Sequence, residues 1–214
     1  MSEQKKVIVF GANGQCGLKL LKQGLNEGLR VTAFVRTPEK IPKDIREKLH
    51  KVIQGDAMDP KSVEEAIEGH DYVLSALGNV LKFGTMLLTN GSKNILEGMR
   101  SHGVKHLQVV SGAPYIPGEG GLFEAIARKV TIAARDHIRQ LENLDASDDI
   151  DWVAICPYFI KDSDALDPDY KYVKQKVSGM STATTAEIAD FMIKIVQDET
   201  KAKDFRHCKM IIHH

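Results

Sequence analysis

Residues 7–17, VIVFGANGQCG, constrain the fold more than any other stretch of the chain. Val7, Ile8, Val9 and Phe10 are apolar without alternation. A short run of that kind reads as a strand covered on both faces, as in a parallel sheet. Glycines follow at 11, 14 and 17, and then leucines at helical spacing, Leu18, Leu21 and Leu25. The GxxGxxG pattern differs by one residue from the GxGxxG of dinucleotide-binding turns, and the physics is the same. Gly11 allows the tight turn, Gly14 lets backbone approach a pyrophosphate, and Gly17 lets the helix pack close to the strand. The N–H groups and dipole at the helix start favour an anion. Strand, loop and helix stand in the required order, so the stretch predicts a nucleotide site.

The rest of the chain alternates strand and helix patterns. Strands are expected at 30–35, 51–54, 72–77, 104–110, 151–156 and 205–212, with a short one near 170–173. Helices are expected after Asp59-Pro60, a cap and first-turn pair, and at 85–101, 122–144 and 185–196. Gly28 and Gly103 stand where helices end, and Thr184 or Thr185 caps the last one with Glu187 in its first turn. This order predicts an α/β, doubly wound fold with a mainly parallel sheet, as one domain over residues 1–214. Residues 157–184 form a small C-terminal region on the substrate side.

Composition narrows the partners. The 214 residues carry 29 basic and 29 acidic side chains, a formal net charge of zero, and no basic block suited to nucleic acid. No apolar run is long enough to span a membrane, and the N-terminal MSEQKK lacks the apolar region of a signal peptide. The scattered Cys16, Cys156 and Cys208 fit a reduced, cytoplasmic chain rather than a disulfide scaffold. Nothing in the sequence calls for an oligomer, so a monomer is expected. His102 and His106 have helical ligand spacing, but Gly103 and the following strand break the helix between them, so no metal site is expected.

Arg36 ends the second strand, about twenty residues past the glycine loop, where NAD-preferring folds carry an acid for the ribose hydroxyls. A guanidinium there suits a 2′-phosphate and gives a bare ribose no acceptor, and Lys40 follows it. NADP(H) is therefore expected over NAD(H). Asp56 lies just past the third strand, and reads equally as an acceptor for an adenine amino group or as a turn residue. Ser111, at the end of the fifth strand, reads as a positioning hydroxyl near the nicotinamide or as a satisfied strand-end serine. Cys16, at a helix N-terminus where a thiolate is favoured, is either redox-sensitive or a lining residue of the loop. The glycine- and proline-rich residues 114–121 suit a lid or rim.

Several stretches then carry a resemblance. They are GANGQCG, Arg36 with Lys40 and Pro42 behind it, Gly55-Asp56, and the His70-Asp71-x-Val73-x3-Leu77-Gly78 segment. Ser111, the Asp136-His137-Ile138-Arg139 run and Pro157 continue them. With these the chain resembles the atypical, NmrA-like short-chain dehydrogenase/reductases, and among them the biliverdin-IXβ reductase or flavin reductase group. The resemblance implies an NADP(H)-binding Rossmann fold with an open acceptor site over the nicotinamide, and reduction of flavins and tetrapyrroles. It implies cofactor contacts from Gly11, Asn13, Gly14, Gln15, Cys16, Gly17, Arg36, Lys40, Asp56, Ala57, Ala76, Leu77, Gly78 and Pro157, and places His137 near the cofactor edge. That group carries a histidine where this chain has Phe159.

The Tyr-xxx-Lys pair of ordinary short-chain dehydrogenases is missing. Tyr115 has Glu119 four residues on, and the helix expected at 122–144 holds no tyrosine. Flavin reduction does without such an acid, because hydride goes to a ring nitrogen and the protein mainly stacks two rings. Ser111 is the catalytic candidate, and Tyr115, Phe123, Tyr158 and Phe159 are the candidate stacking wall for a flavin or tetrapyrrole. Two other readings stand beside the reductase. One is a non-catalytic NADP(H)-binding redox sensor acting through a protein partner, and the other is a dehydrogenase acting on an unknown carbonyl or sugar nucleotide.

Overall fold

The computed structural model describes residues 4–78, 86–113, 116, 132–174 and 182–213. Strand β1 (Lys6–Phe10) pairs in parallel with β2 (Arg30–Val35) on one side and with β4 (Tyr72–Ser75) on the other. With β3 (Lys51–Gln54), β5 (His106–Val110), β6 (Asp151–Ile155), β8 (Lys171–Val173) and β10 (Cys208–His213) they form one sheet in the order β3-β2-β1-β4-β5-β6-β10-β8. Every pairing is parallel except the last, where β8 lies antiparallel on the edge of β10. This is the α/β, Rossmann-type arrangement that the alternation of patterns predicts. Its strand order turns back between β1 and β4, the switch point at which such sheets bind ligands.

The unbroken apolar run of β1 has a direct cause. Val7 and Val9 point into one core with Leu20, Leu21, Ile188 and Phe191, and Ile8 and Phe10 into another with Val63, Ile67, Ile95 and Met99. Helix α1 (Gln15–Asn26) therefore shares its side of the sheet with α6 (Thr185–Gln197). The opposite side carries α3 (Pro60–Ile67), α4 (Leu87–His102) and α5 (Ile132–Asp145). With both faces covered, none of the four strand residues from Val7 to Phe10 is more than 1% exposed.

Helix ends follow their local chemistry. Asp59 accepts the Lys61 N–H ahead of Pro60. Gly103 takes the left-handed conformation, φ 67°, and the Val104 N–H returns to the Met99 carbonyl to close α4. That closing bond delays β5 to His106, two residues later than the apolar run suggests. Thr184 and Glu187 form a capping box on α6. Thr184 Oγ1 also donates to the Ala165 carbonyl, and Thr185 Oγ1 to Asp162, which ties the polar 157–184 region to that helix. Within this region β7 (Phe159–Lys161) and β9 (Thr182–Thr184) make a small parallel pair absent from the sequence expectation. Two short helices, α2 (Lys43–Arg46) and α7 (Glu199–Asp204), are further additions, and α7 moves the start of β10 from 205 to Cys208. Strand β4 stops at Ser75 rather than 77, although the Ala76 N–H still reaches the Phe10 carbonyl at 2.9 Å.

Candidate functional site

The C-terminal ends of β1 to β5 open on one cleft of about 640 Å³. At its centre is the glycine loop. Gly11 has φ +70°, and a Cβ there would stand 2.6 Å from the Ala76 carbonyl oxygen, so only glycine fits where the chain leaving β1 passes this close to the backbone after β4. The Gly14 N–H bonds back to the Gly11 carbonyl at 3.0 Å and turns the chain into α1. Gly14 is the N-cap and has no side chain to cap the helix. Among the described residues no side chain caps that first turn, and Asn13, Gln15 and Cys16 line the cleft beside it. Gly17 is buried beneath the loop, and a Cβ on it would fall 2.7 Å from Ala12 Cα and closer still to the Gly11 oxygen.

To one side, β2 and β3 contribute Phe34, Val35, exposed Arg36, Gly55, half-buried Asp56 and buried Ala57. Arg36 and Asp56 are the only charged side chains among the described lining residues other than the titratable His137 and Cys16. Asp56 uses Oδ1 to accept the Met58 N–H at 3.0 Å, so it is at least a turn residue. The Ala57 carbonyl accepts from buried Asn94 at 2.9 Å, which pins this loop to α4.

To the other side lie Ala76, Leu77 and Gly78 after β4, Leu87 at the start of α4, Val110 and Ser111 at the end of β5, His137 from α5, and Ile160 from β7. Ser111 is buried, its N–H bonds the Ile155 carbonyl at 2.8 Å, and its Oγ lies 3.2 Å from His137 Nδ1. Burial lowers the His137 pKa to about 4 against the opposing pull of Asp136, so the ring is neutral at pH 7. The pair can hold or orient a polar atom by hydrogen bonding without introducing a charge.

Neutral burial of His137 makes stability depend on pH. Its folded-state pKa lies below the ordinary 6.5, so the unfolded chain binds the extra proton first as pH falls. The stabilising contribution is complete above pH 6.5 and is lost toward pH 4, with a full amplitude on the order of 3 kcal/mol. His70 and His106 shift in the same direction through burial, so the contribution is read as a difference. The melting temperature of His137→Gln should fall less steeply between pH 6.5 and 4.5 than that of the unaltered chain, and parallel curves would contradict the assignment.

Several sequence candidates stand elsewhere. Lys40 closes an exposed 3-10 turn begun by Pro38 and is not among the lining residues. Buried Pro157 uses its carbonyl to accept the Ala113 N–H at 3.0 Å, and Tyr158 packs on the core beneath α3 and α4; neither lines the cleft. Phe159 is 53% exposed and outside the lining, while its neighbour Ile160, 44% exposed, is in it. Successive strand residues face opposite ways, so one step in register exchanges the phenyl ring for the isoleucine. Tyr115, Phe123 and residues 117–121 lie outside the described residues. Of the two readings of Cys16, the structure favours the lining residue. Burial, with Asp162 adding to it, pushes the thiol up to about 11, so it is a protonated lining group at neutral pH.

Sequence reasoning did not single out Phe34, Val35, Leu87, Val110 or Ile160, and it left His137 without a partner. Among the described residues, no three His, Cys, Asp or Glu side chains gather as a metal site, and no helix is long and apolar enough to cross a membrane.

A family profile described as NAD(P)H-binding matches residues 11–199. Solved structures share the fold over nearly the whole chain. A short-chain dehydrogenase/reductase from Veillonella parvula in complex with NADP is 19% identical, with a TM-score of 0.77, over 98% of this chain and 94% of that one. A candidate epimerase from Bacteroides thetaiotaomicron is 25% identical, with a TM-score of 0.77, over 99% and 98%. An anaerobilin reductase from Escherichia coli O157:H7 is 17% identical, with a TM-score of 0.76, over 98% and 97%.

Proposed function

The chain belongs to the NAD(P)H-binding family, and from that premise we propose that it is an NADPH-dependent reductase of flavins, FMN and FAD, and of tetrapyrroles such as biliverdin. The observation that carries this reading is the contrast between the two ends of the cleft. One end offers the Arg36 guanidinium, and the other offers Leu87, Val110 and Ile160 around the neutral Ser111–His137 pair. An NADP-bound short-chain dehydrogenase/reductase and an anaerobilin reductase with the same fold are consistent with it.

The described residues fit the cofactor. Backbone atoms already stand where a Cβ on Gly11 or Gly17 would go, so these glycines let the loop pack tightly, and the uncapped N-terminus of α1 would meet a pyrophosphate. Arg36, which lines the cleft, would hold the 2′-phosphate with a planar fork that matches phosphate oxygens. The chemistry that a nicotinamide cofactor held by these residues would supply is hydride donation. The apolar wall holds a flat acceptor and excludes water, and Ser111 Oγ orients a polar edge of that acceptor. Delocalisation within a flavin or tetrapyrrole absorbs the developing charge, so the neutral pair needs no strong acid.

Ser111→Ala tests the assignment. The expected result is a kcat for flavin-dependent NADPH oxidation reduced about tenfold, the scale of one ordinary neutral hydrogen bond at about 1.4 kcal/mol, with NADPH affinity unchanged. An unaltered kcat would make Ser111 a strand-end residue bonded only for packing.

A further inference from the structure

Helix α4 has no capping side chain of its own. Its N-cap is Met86, and the first-turn N–H groups are met instead from a different helix. The Asp136 carboxylate of α5, 0% exposed, accepts Leu88 N–H on Oδ2 at 3.0 Å. Its Oδ1 accepts both the Thr89 N–H and the Thr89 hydroxyl, each at 2.7 Å. A buried carboxylate is tolerable only when its oxygens are met by donors, and a helix N-terminus suits it further. Two turns along α5, Asn143 donates to the Thr89 carbonyl at 2.9 Å and to Ser92 Oγ at 3.0 Å. Beyond the end of α5, Ser147 accepts from Arg100 of α4 at 2.9 Å. The two helices are thus joined along their length by a polar seam, with Asp136 at the end nearest the cleft.

The residues flanking that end both line the cleft. Leu87 precedes Leu88 at the start of α4, and His137 follows Asp136 on α5. We propose that Asp136 is the positioning residue of the acceptor end, holding Leu87 and His137 at a fixed separation so that His137 meets Ser111. The clamp rests on the hydrogen bonds alone, and only its effect on turnover rests on the reductase reading. An amide cannot replace the carboxylate. Asparagine supplies one acceptor oxygen and sets an N–H donor against either the Leu88 or the Thr89 donors. A carboxylate serving only as a remote helix cap would also lower stability when lost, but it would leave the place of the His137 ring unchanged.

The test is NMR on Asp136→Asn, with NADP⁺ bound and without it, following the His137 ring titration and amide exchange at Leu88 and Thr89. A freed ring becomes solvated, so its titration midpoint should rise from about 4 toward the ordinary 6.5. Exchange at the two amides should quicken at least tenfold. Loss of the carboxylate charge with the ring still in place acts in the opposite direction, because Asp136 now raises that midpoint. A midpoint at about 4 or below would therefore overturn the proposal. Thr89→Val, which removes only the hydroxyl donor, gives the same signs at about threefold in exchange, and serves if the asparagine variant does not fold. In the turnover assay, flavin kcat should fall at least tenfold with the KM for NADPH within twofold. If the unaltered chain reduces no flavin, the reductase reading fails, and the titration and exchange still decide the clamp.

Discussion

Replacing Arg36 by alanine is expected to weaken NADPH binding by roughly 10- to 100-fold while changing NADH binding less than about threefold. The magnitude is that of charge-assisted hydrogen bonds to a phosphate, about 1.5–3 kcal/mol, at 1.4 kcal/mol per tenfold in affinity. Arg36 is exposed at the tip of β2 and lines the cleft beside Gly55 and Asp56. Its own backbone carbonyl accepts from Gln54 at 3.3 Å, which steadies the turn that presents it. Lys40 lies outside the lining, so it should not compensate. Arg36→Lys should retain part of the preference, because a point charge remains but the planar fork is lost. Titration of both cofactors by fluorescence or calorimetry measures the effect. Equal losses for NADPH and NADH would mean that Arg36 does not read the 2′-phosphate.

The second large effect is expected at Gly17. An alanine methyl there collides with the Gly11 carbonyl oxygen and with Ala12 Cα, both backbone atoms that cannot rotate away. The same carbonyl accepts the Gly14 N–H that forms the turn, so relief of the clash opens the loop. A destabilisation of about 3 kcal/mol is expected, at the upper end of overpacking costs, together with at least a tenfold loss of cofactor affinity. Gly14→Ala is the internal comparison. Its Cβ would be 3.3 Å from the Gly11 oxygen, tight but open to a small adjustment, so the fold should lose much less. Urea melts and NADPH titrations on the two variants measure the difference. Equal stability losses would contradict the assignment of Gly17 as the steric keystone of the loop.

The parts of this site that follow from one strand and the loop behind it were readable in the sequence. The glycine loop, Arg36, Gly55-Asp56, Gly78 and Ser111 each follow or end an expected strand, and a parallel sheet brings such ends together; Ala76 and Leu77 join them because β4 stops two residues sooner than its apolar run. What depends on the rotation of a helix or the parity of a short strand was not readable. His137 meets Ser111 because α5 is turned by the Asp136 bonds to α4, made between residues 47 and 48 positions apart. Local periodicity carries no record of that pairing. Ile160 lines the cleft and Phe159 does not because of a three-residue strand paired with Thr182–Thr184, too short to leave an alternation signal. Position alone left Cys16 open between a redox-sensitive thiolate and a lining residue, and burial favours the second. A helix N-terminus favours a thiolate, and here burial outweighs it.

The central claim is tested most directly by following NADPH oxidation with FMN, with FAD and without acceptor, with NADH run alongside. The account predicts saturable, flavin-dependent oxidation with kcat/KM for NADPH at least tenfold above that for NADH. Tight NADPH binding with no turnover of either flavin would contradict the reductase and leave a cofactor-binding sensor in its place.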